Sequence, residues 1–304
     1  YFDGKDTPGS HGGTLEASDT IRDIHLPSGA DAVEYNFGEL RPASIAGRVH
    51  AELDGDCAPD PGEPLLAGVT IWLLDGSGNR VAWTTTDEQG EYRFTNLRPG
   101  VYGVEEIQPP DYLDGLDHPG SAGGTVVAND KIAGAALGPG VDAVEYNFCE
   151  VVPSSISGYV FQDGKDIELE HGETPPAVFK VSDGVFTPDD TPIPGVVLQL
   201  CDGSGAPLLD AWGQPITTVT DANGYYEFRM LYPDLYSIVQ IHPGDYTDGI
   251  DTPGNLGGIP VNAHEPLDPL MLASLAIDPQ DDAILRIPLG MGEDATNYNF
   301  SEVR

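Results

Sequence analysis

Tyr112-Leu-Asp-Gly-Leu-Asp-His-Pro-Gly-Ser-Ala-Gly-Gly124 is one of three copies of a motif that organises the chain. The others are Tyr1-Phe-Asp-Gly-Lys-Asp-Thr-Pro-Gly-Ser-His-Gly-Gly13 and Tyr246-Thr-Asp-Gly-Ile-Asp-Thr-Pro-Gly-Asn-Leu-Gly-Gly258. Each is followed by a Tyr-Asn-Phe run, at Tyr35–Phe37, Tyr146–Phe148 and Tyr298–Phe300. Self-similarity over this distance marks tandem modules. The copies lie 111 and 134 residues apart, and the excess falls in two loops, Gly158 to Gly195 and Asp202 to Asp221. The reading is therefore a tail (1–43) of a preceding repeat, a first complete repeat (44–153) and a second (154–304) with loop insertions.

Working outward, Val69, Ile71 and Leu73 alternate with Thr70, Trp72 and Leu74, and Val196, Leu198 and Leu200 repeat the pattern. Period two with β-branched residues is a strand signal. Turn clusters punctuate it: Asp75-Gly-Ser-Gly-Asn79, Asp87-Glu-Gln-Gly90, Asp202-Gly-Ser-Gly205 and Asp221-Ala-Asn-Gly224. In the first repeat the pattern predicts strands near 45–51, 68–75, 81–87, 91–96, 100–107, 125–136 and 141–150. The fold expected is all-β, with tandem antiparallel sandwiches of about seven strands each.

Composition agrees. Gly (38) and Pro (27) make about 21% of 304 residues, against roughly 12% on average, and both oppose helix. The formal charge of −37 argues against nucleic acid, whose phosphates attract clustered Lys and Arg. The longest apolar run, Leu270–Ile277, is too short to span a membrane. No signal peptide is visible and the chain begins with Tyr1, which reads as a processed or excised piece. The 13 Tyr, 9 Phe and 3 Trp, set in alternating runs, argue for a folded chain. Three cysteines, Cys57, Cys149 and Cys201, have no zinc spacing.

Gly68-Val-Thr-Ile-Trp-Leu-Leu-Asp-Gly-Ser-Gly-Asn79 and Thr84-Thr-Thr-Asp-Glu-Gln-Gly-Glu-Tyr-Arg-Phe-Thr-Asn-Leu-Arg-Pro-Gly-Val-Tyr102 resemble the B-type repeats of bacterial serine-aspartate adhesins, the SdrD B-like domains. They are also similar to collagen-adhesin B-type and carboxypeptidase-regulatory-like modules. The resemblance implies a prealbumin-like or Ig-like sandwich on a secreted or cell-surface protein. It also implies calcium binding and a role as a stalk or fibre.

Spacing then points to one loop. In Glu52-Leu-Asp-Gly-Asp-Cys-Ala-Pro-Asp-Pro-Gly-Glu63, carboxylates stand at positions 1, 3, 5, 9 and 12 (Glu52, Asp54, Asp56, Asp60, Glu63), with the Ala58 carbonyl at 7. This is the EF-hand calcium order without its helices, except that Cys57 occupies position 6, where Gly makes the turn. In the second repeat the candidates are Asp163, Asp166, Glu168, Glu170 and Glu173, one residue short of the pattern. Ligands could be rebuilt from the following insertion with Asp183, Asp189 and Asp190. An up-and-down sandwich would bring Asp87 and Asp114-Gly-Leu-Asp117 to the same end as Glu52–Glu63. Asp-Gly-x-Asp reads there as a turn before a second metal site. Cys57 in this end loop and Cys149 at the close of the last strand are expected to form a disulfide, leaving Cys201 a partly buried thiol.

A Lys-to-Asn isopeptide through Asn36, Asn147 or Asn299 is not expected, because only four Lys are present and the first strands carry Arg48 or Tyr159 instead. No nucleophile or phosphate motif points to an enzyme. Trp72, Trp83 and Trp212 are read as packing before sugar stacking. The expectation is a structural surface module with calcium, whose partners are neighbouring repeats or other copies joined by strand addition. The alternative is an adhesin that binds a glycan or protein ligand through its loops.

Overall fold

A computed structural model of the chain describes residues 1–17, 19–164, 182–262, 267–268, 271, 274–277 and 282–304. The named elements among them are all strands, and among the described residues no helix is long and apolar enough to cross a membrane. The chain divides into two compact units, Tyr1–Val151 and Val152–Arg304.

Unit 1 opens with a tail of short strands: β1 (Phe2–Asp3), β2 (Thr14–Glu16), β3 (Thr20–Arg22) and β4 (Glu39–Leu40). The sandwich follows, with β5 (Ala43–Glu52), β6 (Thr70–Asp75), β7 (Arg80–Thr85), β8 (Glu91–Leu97), β9 (Gly100–Glu106), β10 (Leu113–Asp114), β11 (Thr125–Ala128), β12 (Lys131–Leu137), β13 (Asp142–Ala143) and β14 (Phe148–Val151). One sheet is ordered β10-β14-β5-β13 with β8 also on β5, and the other is β11-β12-β9-β6-β7. Unit 2 repeats this plan through β15 (Ser154–Gln162), β16 (Thr191–Pro192), β17 (Val197–Asp202), β18 (Thr217–Val219), β19 (Tyr225–Leu231), β20 (Asp234–Ile241), β21 (Thr247–Asp248), β22 (Ile259–Val261), β23 (Asp282–Leu289), β24 (Asp294–Ala295) and β25 (Phe300–Val303).

The sheets are antiparallel but for one seam. The first and last strands of each unit run parallel: β14 against β5, with Phe148 opposite Val49, and β25 against β15, with Phe300 opposite Val160. A purely up-and-down order does not hold there. The seam also breaks the strand expected over 141–150 into β13 and β14, because Glu145 turns to φ 67°. Beside this step Gly47 passes so close that a Cβ would lie 1.7 Å from the Tyr146 carbonyl oxygen, and Gly158 meets Tyr298 at the same distance. No larger residue fits either place. The strand expected over 125–136 is instead a hairpin, β11 and β12, turned by Asn129-Asp130 with Asp130 at φ 58°.

The seam explains the repeated motifs. The Asn147 side-chain oxygen accepts the Arg48 N–H at 3.0 Å, and that of Asn299 accepts the Tyr159 N–H at 3.1 Å. Each Asn thus replaces a backbone acceptor lost at the step. The Asp-Gly-x-Asp-x-Pro-Gly motif runs antiparallel to Tyr-Asn-Phe: Gly115, His118 and Ser121 donate to the carbonyls of Cys149, Asn147 and Val144. The Tyr146 hydroxyl closes the pair on Gly123 O at 2.8 Å. Tyr146, Phe148, Tyr298 and Phe300 are all fully buried, each aromatic removing roughly 150–250 Å² from water. In the tail the same pairing forms, with Thr7 opposite Asn36, yet Phe37 is 49% exposed.

Candidate metal centre

The Glu52–Glu63 loop leaves the end of β5, where Glu52 is 1% exposed. Glu52 Oε1 accepts the N–H groups of Leu53, Asp54 and Gly55 at 2.8, 2.7 and 2.8 Å, and Oε2 accepts that of Cys57. The loop is wound around this carboxylate. Burial pushes Glu52 up, but the N–H donors of Gly55, Asp54 and Cys57 outweigh it and hold the group at about 2. Glu63 closes the ring: its Oε1 accepts the Leu53 N–H at 3.2 Å and Oε2 the Asp60 N–H at 2.9 Å. Cys57 takes φ 53°, the left-handed turn that Gly supplies at the sixth position of a calcium loop.

The carboxylates converge. Oxygens of Glu52, Asp54 and Glu63 lie within 4.8 Å of one another, and so do those of Asp54, Asp56 and Asp60, with Asp54 common to both sets. Asp54 is raised chiefly by Asp56 beside it, and Glu63 by burial. Glu52 Oε1 is filled by its three N–H donors, so a cation would draw its oxygens chiefly from Asp54, Asp56, Asp60 and Glu63. An all-oxygen set of this density fits a hard divalent ion, which takes six to eight oxygens. Behind the loop His50 is fully buried, 3.9 Å from Glu63, and burial lowers its pKa against the opposing pull of Glu52.

A disulfide joins Cys57 to Cys149, with 5.7 Å between Cα atoms. The loop is thereby fastened to β14, and the Leu116 N–H lies 3.4 Å from the Cys57 sulfur. Asp87 and His118 line one open groove with Ala58 and Pro59, but the Asp87 carboxylate accepts the Gln89 and Glu91 N–H groups of its own turn. Asp75, Asp202 and Asp221 cap their hairpins in the same way. Trp83 and Trp212 are 62% and 85% exposed and are not packing residues, whereas Trp72 lies under the Arg80 guanidinium.

In unit 2, Asp166, Glu168, Glu170 and Glu173 fall outside the described residues. Asp163 occupies the place of Glu52, at 7% exposure, and its Oδ2 accepts the Asp183 and Gly184 N–H groups at 2.8 and 2.7 Å. From there the register of unit 1 returns residue for residue. Val185 N–H reaches Asp183 as Ala58 N–H reaches Asp56. Thr187 and Gly164 donate to Asp190 as Asp60 and Leu53 donate to Glu63. Residues 183–190 therefore repeat 56–63, with Gly184 at the sixth position (φ 70°) and Asp190 at the twelfth. The second loop is the first one split by an insertion after Gly164. A search for contiguous spacing misses it, but Asp183-Gly184 followed by Asp190 carries its second half.

Residues 43–131 match the family model described as the SdrD B-like domain, which bears out the resemblance read in the sequence. Serine-aspartate repeat-containing protein D of Staphylococcus aureus is 26% identical over 263 residues, covering 82% of this chain and 18% of its own. Protein F of that name from Staphylococcus epidermidis is 26% identical over 258 residues, with 83% and 13% covered. Colossin-A of Dictyostelium discoideum is 24% identical over 226 residues, with 72% and 2% covered. The chain thus spans less than a fifth of the length of these curated relatives. Among solved structures, the minor pilin GBS52 of Streptococcus agalactiae covers 87% of this chain at 14% identity and TM-score 0.32, with 97% of its own length covered.

Proposed function

We propose, on the premise that residues 43–131 form an SdrD B-like domain, that the chain is a structural segment of a secreted or cell-surface protein. Its tandem sandwiches act as stalk units, each stiffened by calcium in the loop after its first strand. The observation that carries this is the convergence of Glu52, Asp54, Asp56, Asp60 and Glu63 on one loop tied to the last strand by Cys57–Cys149. A cation there would draw together the start and the end of the domain, and mechanical stiffness follows from that closure.

Residues 1–43 are, in the same reading, the tail of a preceding repeat. Their Tyr-Asn-Phe pairs with its own motif but exposes the Phe that β5 and β15 cover in the complete units. Its partner is a first strand from a neighbouring repeat or from a second copy, added along the open edge.

The test is thermal unfolding in millimolar calcium and in chelator. Binding to the folded state alone stabilises it by mass action, by about 2.7 kcal/mol at a hundredfold excess over Kd, and so raises Tm. Asp54→Asn with Asp56→Asn should abolish the part of the shift that the first loop supplies. Identical melting curves in calcium and chelator would remove calcium from the proposal.

A further inference from the structure

His50 is a polar side chain that the fold of unit 1 does not ask for. It is fully buried, and neither ring nitrogen has a hydrogen-bond partner among the described residues. Glu63 Oε2 stands 3.9 Å from Nε2, beyond hydrogen-bond reach. A buried polar group left unbonded costs free energy, so its presence needs a physical reason. The strand register supplies its neighbours. In the parallel pairing of β5 with β14, His50 lies opposite Cys149, and Glu52, two residues on, faces the same side. A ring nitrogen of His50, a carboxylate oxygen of Glu52 and the Cys149 sulfur all lie within 4.8 Å of one another. Cys57, bonded to Cys149, completes the group and is 5% exposed.

Unit 2 shows that the position does not need an imidazole. There Phe161 stands opposite Ser301, as His50 stands opposite Cys149, and it packs against Phe186 with ring centroids 5.0 Å apart. Gly184 occupies the place of Cys57. One unit thus sets a buried imidazole between two sulfurs where the other has a phenyl ring, a hydroxyl and a glycine. The carboxylate beside them is also disposed for a ligand. Glu52 Oε1 is taken up by loop N–H groups, but Oε2 accepts one, from Cys57, and lies 4.0 Å from the Cys149 sulfur. Two cysteine sulfurs, a histidine nitrogen and a carboxylate oxygen are all zinc donors, and four ligands make its tetrahedral site. The sulfurs set this group apart from the all-oxygen loop, because soft thiolates select zinc over calcium.

We infer that reduction of the Cys57–Cys149 disulfide opens a zinc site whose ligands are the two cysteine sulfurs, a ring nitrogen of His50 and Glu52 Oε2. A dithiol supplies the two electrons and two protons that turn the S–S bond into two thiols, and it leaves as its own disulfide. Zinc then displaces the two thiol protons to solvent and takes both thiolates, the neutral imidazole and the carboxylate. The ion enters past Cys57, which lines the open groove beside Ala58 and Pro59. Once bound, it fastens the first loop to β14 without the covalent bond, so the closure of unit 1 outlasts a reducing environment. Phe161, Gly184 and Ser301 give unit 2 no equivalent at these positions.

The experiment uses the full chain in millimolar calcium, which competes for the loop's carboxylates, with cobalt(II) as a spectroscopic stand-in for zinc. The reductant is a phosphine, because dithiols themselves bind these metals. One equivalent of cobalt on the reduced chain should give a sulfur-to-metal charge-transfer band and the strong visible bands of a tetrahedral ion, all erased by zinc. The disulfide-bonded chain should give none of them. Zinc should also restore part of the Tm that reduction takes from unit 1, read by Trp72 and Trp83. His50→Phe, which copies unit 2, should keep the disulfide-bonded fold and weaken cobalt binding by more than about tenfold, the loss expected even for a group that only supports a ligand. If that variant misfolds, His50→Gln reads the same loss. Cys201→Ser should leave the spectrum unchanged, and so should Asp54→Asn with Asp56→Asn, so the zinc and calcium readings fail separately. The inference is overturned if the reduced chain shows no sulfur charge transfer, if the His50 variants bind cobalt as tightly as the parent chain, or if Cys201→Ser removes the band.

Discussion

Where unit 1 joins Cys57 to Cys149 covalently, unit 2 sets the Ser182 hydroxyl 3.0 Å from that of Ser301, the residue that follows Phe300 as Cys149 follows Phe148. Both contacts fasten the first loop to the last strand. The Ser182 hydroxyl also donates to Asp163 at 2.8 Å, so in unit 2 the fastening and the loop carboxylate belong to one hydrogen-bonded network. Unit 1 separates the roles: Glu52 organises the loop through backbone N–H groups and sulfur supplies the tether. The difference shows which part of the design is fixed. The carboxylate at the end of the first strand and the step beside Tyr-Asn-Phe occur in both units, whereas the chemistry of the fastener varies.

The tail extends the comparison and gives the largest expected effect. Phe148 and Phe300 are fully buried, but Phe37 is half exposed. Phe148→Ala and Phe300→Ala should each destabilise their own unit by about 3–5 kcal/mol, the usual range for a buried Phe. Phe37→Ala should cost less than about 0.5 kcal/mol, the surface range. Chemical denaturation followed by hydrogen exchange, read unit by unit, gives all three values. A loss at Phe37 as large as that at Phe148 would mean that the tail's open edge is filled in solution by a strand from a second copy.

Next in size is the fastener of unit 1. The residues it joins are separated by 92 positions, a loop for which constraint of the unfolded chain contributes about 4–5 kcal/mol in the entropic account and about 2–5 kcal/mol in practice. Reduction, or Cys57→Ser with Cys149→Ser, should lower the stability of unit 1 within that range and leave unit 2 unmoved. The fluorescence of Trp72 and Trp83 reports on unit 1, and that of Trp212 on unit 2. Equal shifts in both signals would contradict the independence of the two fasteners.

The legibility of these features in the sequence follows from their range. Alternation in Val69–Leu74 and the Asp-Gly turns are local, and they locate strands within a residue or two because each strand and hairpin is decided by neighbouring residues. The break at Glu145 was not legible, since it arises from β5 passing at Gly47, nearly a hundred positions away. The hairpin at Asn129-Asp130 was readable in principle, but the weak alternation around it suggested one strand. The loop of unit 1 is contiguous and its spacing stands out. That of unit 2 is divided by an insertion, and only hydrogen-bond register restores it. The meeting of His50 with Cys149 has no spacing to announce it, because the parallel pairing of β5 and β14 brings the two together.

The smallest effect concerns the fastener of unit 2. Ser182→Ala removes a hydroxyl that is buried and bonded to both Asp163 and Ser301. Asp163 keeps the N–H groups of Asp183 and Gly184, so its carboxylate is not stranded. The loss should therefore be that of a hydrogen bond to a charged group, about 1.5–3 kcal/mol, at or below the low end of the disulfide's contribution in unit 1. It should nevertheless be felt further along the chain. Because Ser182 shares its acceptor with Gly184, the turn at the sixth loop position should loosen, and the Gly184 and Val185 amides should exchange faster. In unit 1 the corresponding amides are those of Cys57 and Ala58, held by Glu52 and Asp56 without help from any hydroxyl. Breaking the disulfide should leave their protection largely in place while global stability falls. Opposite behaviour, with local loosening in unit 1 and none in unit 2, would assign the loop's order to the tether and not to the carboxylate.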